Sequence, residues 1–479
     1  MNKSLAKAAG LAIPLIALIF YFTKLNFAVS GDSILYGDLA KGLNTTFLTL
    51  HIGYYVFIHL IYLSTSALVD STIFELMVWV NAVLASIFLY VFHSFAKELT
   101  KSDVVAASAT LILAVSGKFF LNATEAETYM LQTLCLLTAL WLAWKEYPVS
   151  SGIFAAASAL VSPLSFFTAP AFIYIAASRR FSAATMIKFL AAALVLYTPV
   201  FLYIYDELLW GSRGLIKIDA AVGSDYRGLL GFPKYLVKHY FLLCPFIAAG
   251  FLLSFKLNRN VFYLSLCTIL PNLYITLKIA GEDQAQILIV DIFFAVFAAI
   301  GLIEMLRYLR SKSENVSLNA IGYLSIFALF CCSTFVVTGT VTANSRNYRP
   351  DLVRLHNDVI KDREDSVLLT SWRDKIAYEY FNGLSTGTDY GIEVPVAVFD
   401  LNALTAESIE ALNKSGSVFV LESYQPSRIT ALLASEDQLQ RLYRENSYKS
   451  RAEELLGRTC VDIDGYYFGG CIIESSDSN

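Results

Sequence analysis

A run of apolar stretches, each close to the length of one bilayer crossing, recurs from residue 9 to residue 340 and limits what this chain can become. A helix needs roughly 20 apolar residues to span the hydrocarbon. Such stretches cover 9–23, 73–95, 103–117, 128–144, 150–162, 164–177, 184–205, 235–255, 261–279, 286–306 and 319–340, about 11 transmembrane helices. The stretch 53–68 is apolar but short and carries Tyr, His, Ser and Thr; it is read as a helix lying at the interface. Only 16% of the 479 residues are charged and 56% are hydrophobic, against about 25% charged in soluble domains. The expected class is therefore an α-helical polytopic membrane protein. A formal net charge of −4 gives no reason to expect nucleic acid. The opening MNKSLAKAAGLAIPLIALIFYF lacks a convincing small-residue cleavage site and is read as a retained first span.

Charge sets the expected orientation. With residues 1–8 inside, the inner turns hold Lys97 and Lys101, Lys145, Arg179 and Arg180, Lys256 and Arg259, then Arg307, Arg310 and Lys312. Every inner turn is basic, as cytoplasmic loops are. The outer loops mix signs: Asp32 with Lys41, Lys118 with Glu125 and Glu127, Asp206 and Glu207 with Arg213, Glu282 with Asp283. Counting 53–68 as a full span would invert every later loop. The expected localisation is a multi-pass cell membrane protein, with everything after about residue 340 extracytoplasmic.

Two segments invite closer reading. Pro163 and Pro170 interrupt residues 150–177; the reading is either two half-length helices meeting within the membrane or a hairpin with a proline turn. Residues 341–479 change texture. DSVLLTS, VPVAVFD and SVFVLES are strand-like, with helix-like segments between or after them. That alternation predicts a soluble α/β domain with a mainly parallel sheet. The end, TCVDIDGYYFGGCIIES, reads as two strands joined by a Gly-rich turn and flanked by Cys460 and Cys471. Outside a membrane the pair can oxidise, and the sequence leaves the disulfide open. The expected division is 1–340, membrane, and 341–479, soluble.

The polar residues gather at outer positions. SGDSILYGDLAKGLNTTFLTLHIGYY places Asp32, Tyr36, His51 and Tyr54 between the first span and the interfacial helix, and NATEAETY opens the fourth span with Glu125, Glu127 and Tyr129. Carboxylates and imidazoles beside a bilayer are costly and mark functional sites. His51 and His59 are read as ligands or as polar packers. Asp291 lies inside a span and faces the bundle interior on this reading. HExxH, a P-loop and a defensible Ser-His-Asp order are absent from the sequence of the membrane portion. Cys135, Cys244, Cys267, Cys331 and Cys332 fall in apolar runs and read as small buried hydrophobes.

Three features together resemble the GT-C superfamily of membrane glycosyltransferases, and within it the protein O-mannosyltransferase-like branch. They are a loop Asp after the first span (Asp32), a His-Ile-Gly-Tyr stretch (His51 to Tyr54) leading into a surface helix, and Ala126-Glu127-Thr128-Tyr129 at the fourth span. The usual His-Pro-Pro-Gly-Tyr of that branch is here one residue shorter and without prolines. The resemblance covers about residues 10–205. It implies a polyprenyl-phosphate sugar donor, such as a dolichyl-phosphate sugar, and a lipid, glycan or protein acceptor. Asp32 would be the general base on an acceptor hydroxyl, with inversion at the anomeric carbon. Tyr36, His51, Tyr54, Glu125, Glu127 and Tyr129 would line the substrate site. The candidate partners of the leaving phosphate are Arg213, Lys217, Arg227, Lys234, Lys238 and His239 in the outer loop after the seventh span, with Lys278 a further one. A divalent cation, held by Asp32, Glu125 and Glu127, is left open. The rival readings are a transporter or flippase and a non-catalytic scaffold. A transporter needs charges or broken helices at the midplane, often in matched halves; no internal repeat is found.

Overall fold

The computed structural model describes residues 3–25, 36–37, 40, 51–66, 73–210, 236, 240–279 and 288–312, and in the last third 366–370, 397–400, 404, 412, 415, 417–422, 452–453, 456, 459–463 and 469–474. The chain divides into two compact units: Met1–Leu25 with Leu39–Gly339, and Asn26–Asp38 with Thr340–Asn479.

The first unit is helical: α1 Lys3–Phe22, α2 Ile52–Thr65, α3 Ile73–Thr100, α4 Asp103–Ala114, α5 Gly117–Thr124, α6 Tyr129–Trp144, α7 Pro148–Val161, α8 Ala169–Ser178, α9 Ala183–Trp210, α10 Cys244–Leu257, α11 Arg259–Ile279 and α12 Leu288–Lys312. Local chemistry sets the boundaries. Lys101, Glu146 and Arg180 take φ of 57°, 63° and 53°, the left-handed turn that stops α3, α6 and α8. The Ser102 hydroxyl accepts from Val105 N at 3.3 Å and starts α4. Pro148 stands at the first turn of α7, and Pro163 opens a 3-10 turn, Pro163–Thr168, that leads into α8. Residues 150–177 are thus two short helices joined through that turn.

Among the described residues three helices are long and apolar enough to cross a membrane: Ile73–Thr100, Ala183–Leu202 and Leu288–Tyr308. A fourth candidate is α4 with α5, bent by 63°. The expected span at 103–117 therefore breaks at Val115-Ser116. Six more apolar helices are 10–17 residues long. The described residues thus hold three or four full-length candidates and six shorter apolar helices, and the apolar runs at 103–117 and 150–177 are each divided, at Val115-Ser116 and at Pro163. The segment expected at 319–340 lies outside the described residues.

Close backbone approaches hold the bundle together. Gly250 of α10 faces the Phe297 carbonyl of α12, and Gly301 of α12 faces the Phe246 carbonyl of α10; neither place has room for a Cβ. Gly152 of α7 does the same against Phe189 of α9. Small residues allow such contacts where lipid supplies no hydrophobic drive. Side chains also staple helices through backbone carbonyls: Tyr21 to Ala114 at 2.7 Å, Ser86 to Pro14 at 2.9 Å, Ser151 to Ala139 at 2.8 Å and Asn258 to Leu99 at 2.9 Å. One end of the bundle is basic and tied by ions. Lys97 meets Asp103 at 2.6 Å, Lys145 meets Glu98 at 3.4 Å, and Arg179 meets Glu146 at 4.0 Å. These contacts bring the α3–α4, α6–α7 and α8–α9 turns to the same end.

In the second unit a five-stranded sheet is described: β1 Ser366–Thr370, β2 Ala397–Asp400, β3 Ser417–Glu422, β4 Val461–Ile463 and β5 Gly469–Glu474, in the order β2-β1-β3-β5-β4. β1 is parallel to β2 and β3, while β5 is antiparallel to β3 and β4. The strands fall where the apolar runs place them, but the sheet is mixed rather than mainly parallel: the terminal hairpin adds to β3 through β5, and a hairpin pairs antiparallel. Val367, Leu369, Val418, Val420, Cys471 and Ile473 share one buried cluster with Leu412, Ala452 and Cys460. Leu368, Phe419 and Ile472, which alternate with them, are buried as well, so both faces of the sheet are covered. Cys460 and Cys471 form a disulfide with Cα atoms 5.5 Å apart.

Candidate active site

Pro163 ends α7 early and leaves the carbonyl of Val161 without a helical partner, as any helix C-terminus does. His51 supplies one, with Nδ1 lying 2.7 Å from the Val161 oxygen. A carbonyl only accepts, so Nδ1 carries the proton and, in the neutral ring, Nε2 is the acceptor nitrogen. The His51 carbonyl in turn accepts from Tyr54 N at 2.9 Å and Tyr55 N at 3.2 Å, which starts α2. Gly53 explains how α2 comes so near: a Cβ there would lie 3.0 Å from Leu160 C and Val161 N. The imidazole is flanked edge-on by Tyr55 at 6.4 Å and Tyr129 at 6.3 Å between ring centroids.

The second half of the site is the turn between α5 and α6. Glu125 is extended at φ −116° and ψ 161° and caps α5, its N–H donating to Leu121 O at 3.0 Å. Glu127 N donates back to Glu125 O at 3.1 Å. Both carbonyls then accept from one group: Asn81 Nδ2 of α3 lies 2.8 Å from Glu125 O and 2.7 Å from Glu127 O. A carboxamide nitrogen has two hydrogens, and this one spends both on the turn. Ala126, Thr128 and Tyr129 are buried, while the Glu125 and Glu127 side chains are half-exposed. The two carboxylates therefore emerge together from a pinned turn. Tyr54 is fully buried against Tyr55, with ring centroids 6.4 Å apart, and lies within electrostatic range of the Glu127 carboxylate.

His51, Tyr54, Glu125, Glu127 and Tyr129 are thus brought together by α2, α3, the α5–α6 turn and the end of α7. Tyr36 is described as half-buried. Asp32, Arg213, Lys217, Arg227, Lys234, Lys238 and His239 lie outside the described residues, and the side chain of Lys278, at the end of α11, does as well. His59 does not join the group; its Nδ1 is 2.8 Å from the Ala40 carbonyl. Asp291 is fully buried in the first turn of α12, where Tyr240 donates to its backbone oxygen at 3.5 Å. Sequence reasoning missed Asn81. Its signal was present: a carboxamide in the middle of an apolar span is costly unless it is hydrogen-bonded.

No protein-family profile and no curated protein matches the chain. Solved structures do. The apo oligosaccharyltransferase of Archaeoglobus fulgidus aligns over 100% of this chain and 75% of its own, at 13% identity and a TM-score of 0.54. The same archaeal enzyme, AglB, in complex with an inhibitory peptide and a dolichol-phosphate covers 98% and 74%, at 13% identity and a TM-score of 0.52. Tethered to an acceptor peptide containing the NVT sequon, it covers 98% and 74%, at 12% identity and 0.50. The chain has the GT-C fold. In this GT-C fold the likeness runs through nearly the whole chain, well past residue 205, where the sequence motifs give out.

Proposed function

We propose that the protein is a membrane glycosyltransferase that moves a sugar from a polyprenyl-phosphate carrier to an acceptor hydroxyl on the extracytoplasmic side. The observation that carries this reading is the pinned Glu125–Glu127 turn beside His51 and Tyr54, in a fold shared with an enzyme solved with dolichol-phosphate. Asp32 is the general base: it takes the acceptor proton as the hydroxyl oxygen attacks the anomeric carbon. The carrier phosphate leaves from the opposite face, so the configuration inverts. A carboxylate sheltered from water is a stronger base than a solvated one. Arg213, Lys217, Arg227 and Lys278 are assigned to the leaving phosphate, whose charge needs cations placed where it develops. Tyr36, His51, Tyr54, Glu125, Glu127 and Tyr129 are assigned to substrate. Glu125 and Glu127 are also hard oxygen donors of the kind a divalent cation takes. Among the described residues no third His, Cys, Asp or Glu joins them.

Residues 341–479 are assigned to the acceptor side as a soluble unit that orients the acceptor. The deciding experiment is Asp32→Asn, which keeps shape and removes the base. Sugar transfer from a polyprenyl-phosphate donor in proteoliposomes is expected to fall by about 10²–10⁴, with membrane insertion unchanged. Near-normal transfer by this variant excludes Asp32 as the base.

A further inference from the structure

From the proline turn that follows α7, α6, α7, α8 and α9 enclose a groove of about 330 Å³. Its walls are apolar, made of small residues such as Ala143, Ala156 and Ala176 and of aromatic ones such as Phe181, Phe189 and Tyr197. On α9 the lining runs from Met186 to Tyr197, about 16 Å at the helical rise. That is close to half of the roughly 30 Å hydrocarbon core, the depth of one leaflet.

The ends of the groove differ. Toward Ser165 the wall carries two hydroxyls, those of Ser165 and Tyr197, and that of Ser165 is engaged: its Oγ accepts from Gln132 Nε2 at 3.1 Å and shares a hydrogen bond with Ser158 Oγ at 2.7 Å. The other end is cationic. Phe181 N donates to Ala176 O at 2.9 Å, closing a turn whose two feet line the groove. Arg179 and Arg180 stand at its tip. The Arg179 guanidinium lies 4.1 Å over the Trp144 ring and pairs with Glu146, while Arg180 is exposed. Lys145, two residues beyond the lining Ala143, sits 5.0 Å over Trp141.

We propose that this groove binds one acyl chain of an anionic phospholipid, whose phosphate rests at the Arg179–Arg180 turn. An apolar slot one leaflet deep that opens beside clustered cations matches a lipid tail with a charged head. The site stands apart from the sugar-transfer reading and holds whether or not Asp32 is the base.

The full chain is placed in phosphatidylcholine nanodiscs containing a phosphatidylglycerol probe with a photoreactive diazirine in one acyl chain. Adducts are expected on the α6–α9 lining, and the phosphatidylcholine probe with the same acyl chain should give fewer. Arg180→Ala should lower phosphatidylglycerol labelling about fivefold, the effect of one basic residue at an anionic headgroup, and leave phosphatidylcholine labelling unchanged. Equal labelling of the intact protein by the two probes overturns the proposal without recourse to any variant. So does displacement by excess polyprenyl phosphate but not by unlabelled phosphatidylglycerol, which assigns the groove to an isoprenoid chain.

Discussion

Asn81 is the residue on which the described part of the candidate site hangs. One amide nitrogen holds the carbonyls of Glu125 and Glu127, and with them the direction in which both carboxylates leave the turn. Asn81→Asp keeps the shape but turns the donor into an acceptor facing two carbonyls. Leaving buried polar groups unpaired costs about 1–3 kcal/mol each. A misplacement of about 1 Å costs on the order of 10² in rate. Asn81→Asp is therefore expected to lower kcat about that much, with a smaller change in donor KM, in protein that still inserts. A parallel rise in KM with kcat intact would mean that Asn81 serves ground-state binding only. The glutamates themselves were legible as acids at the mouth of a span. Their support was not, because a lone Asn in an apolar run announces a partner without naming it. Nor could His51 be paired with Val161, since a backbone carbonyl has no sequence signature.

Among the elements, the strands were the most legible. Each apolar run of the tail coincides with a strand, because a short β-rich run between turn residues has few other uses. Their pairing was less so: parallel neighbours can be guessed from alternation with helices, but an antiparallel hairpin joining the same sheet depends on which edge is open. That hairpin carries the disulfide. Cys460 precedes β4, Cys471 lies in β5, and the pair closes a loop of sequence separation 11. Closing such a loop is worth about 2–4 kcal/mol. Replacing both cysteines by alanine is expected to lower the urea midpoint for proteolysis of the tail in the full chain, with helical cleavage sites unaffected. An unchanged midpoint would show that the sheet holds without the bridge. The helices in turn were legible as apolar runs but not as lengths. Val115-Ser116 and Ser162-Pro163 show why: a break inside hydrocarbon is set by which carbonyls a neighbour can satisfy.

For the whole molecule, orientation is the property that charge alone encodes, and the fold adds that the basic turns at Lys97, Lys145 and Arg179 meet at one end. With that end cytoplasmic, a membrane-impermeant thiol reagent applied to intact cells should label a cysteine placed at Ser385 and miss one at Lys312. Labelling at Lys312 would reverse the topology and put the proposed reaction on the wrong side. The reciprocal glycine contact between α10 and α12 bears on how such a chain is made. Gly250 and Gly301 each seat the other helix's backbone, yet α11 lies between them in the sequence. The Gly250 notch therefore has no helix to seat until residues 288–312 have been synthesised, and α10 reaches its final packing only once α12 exists to lie against it.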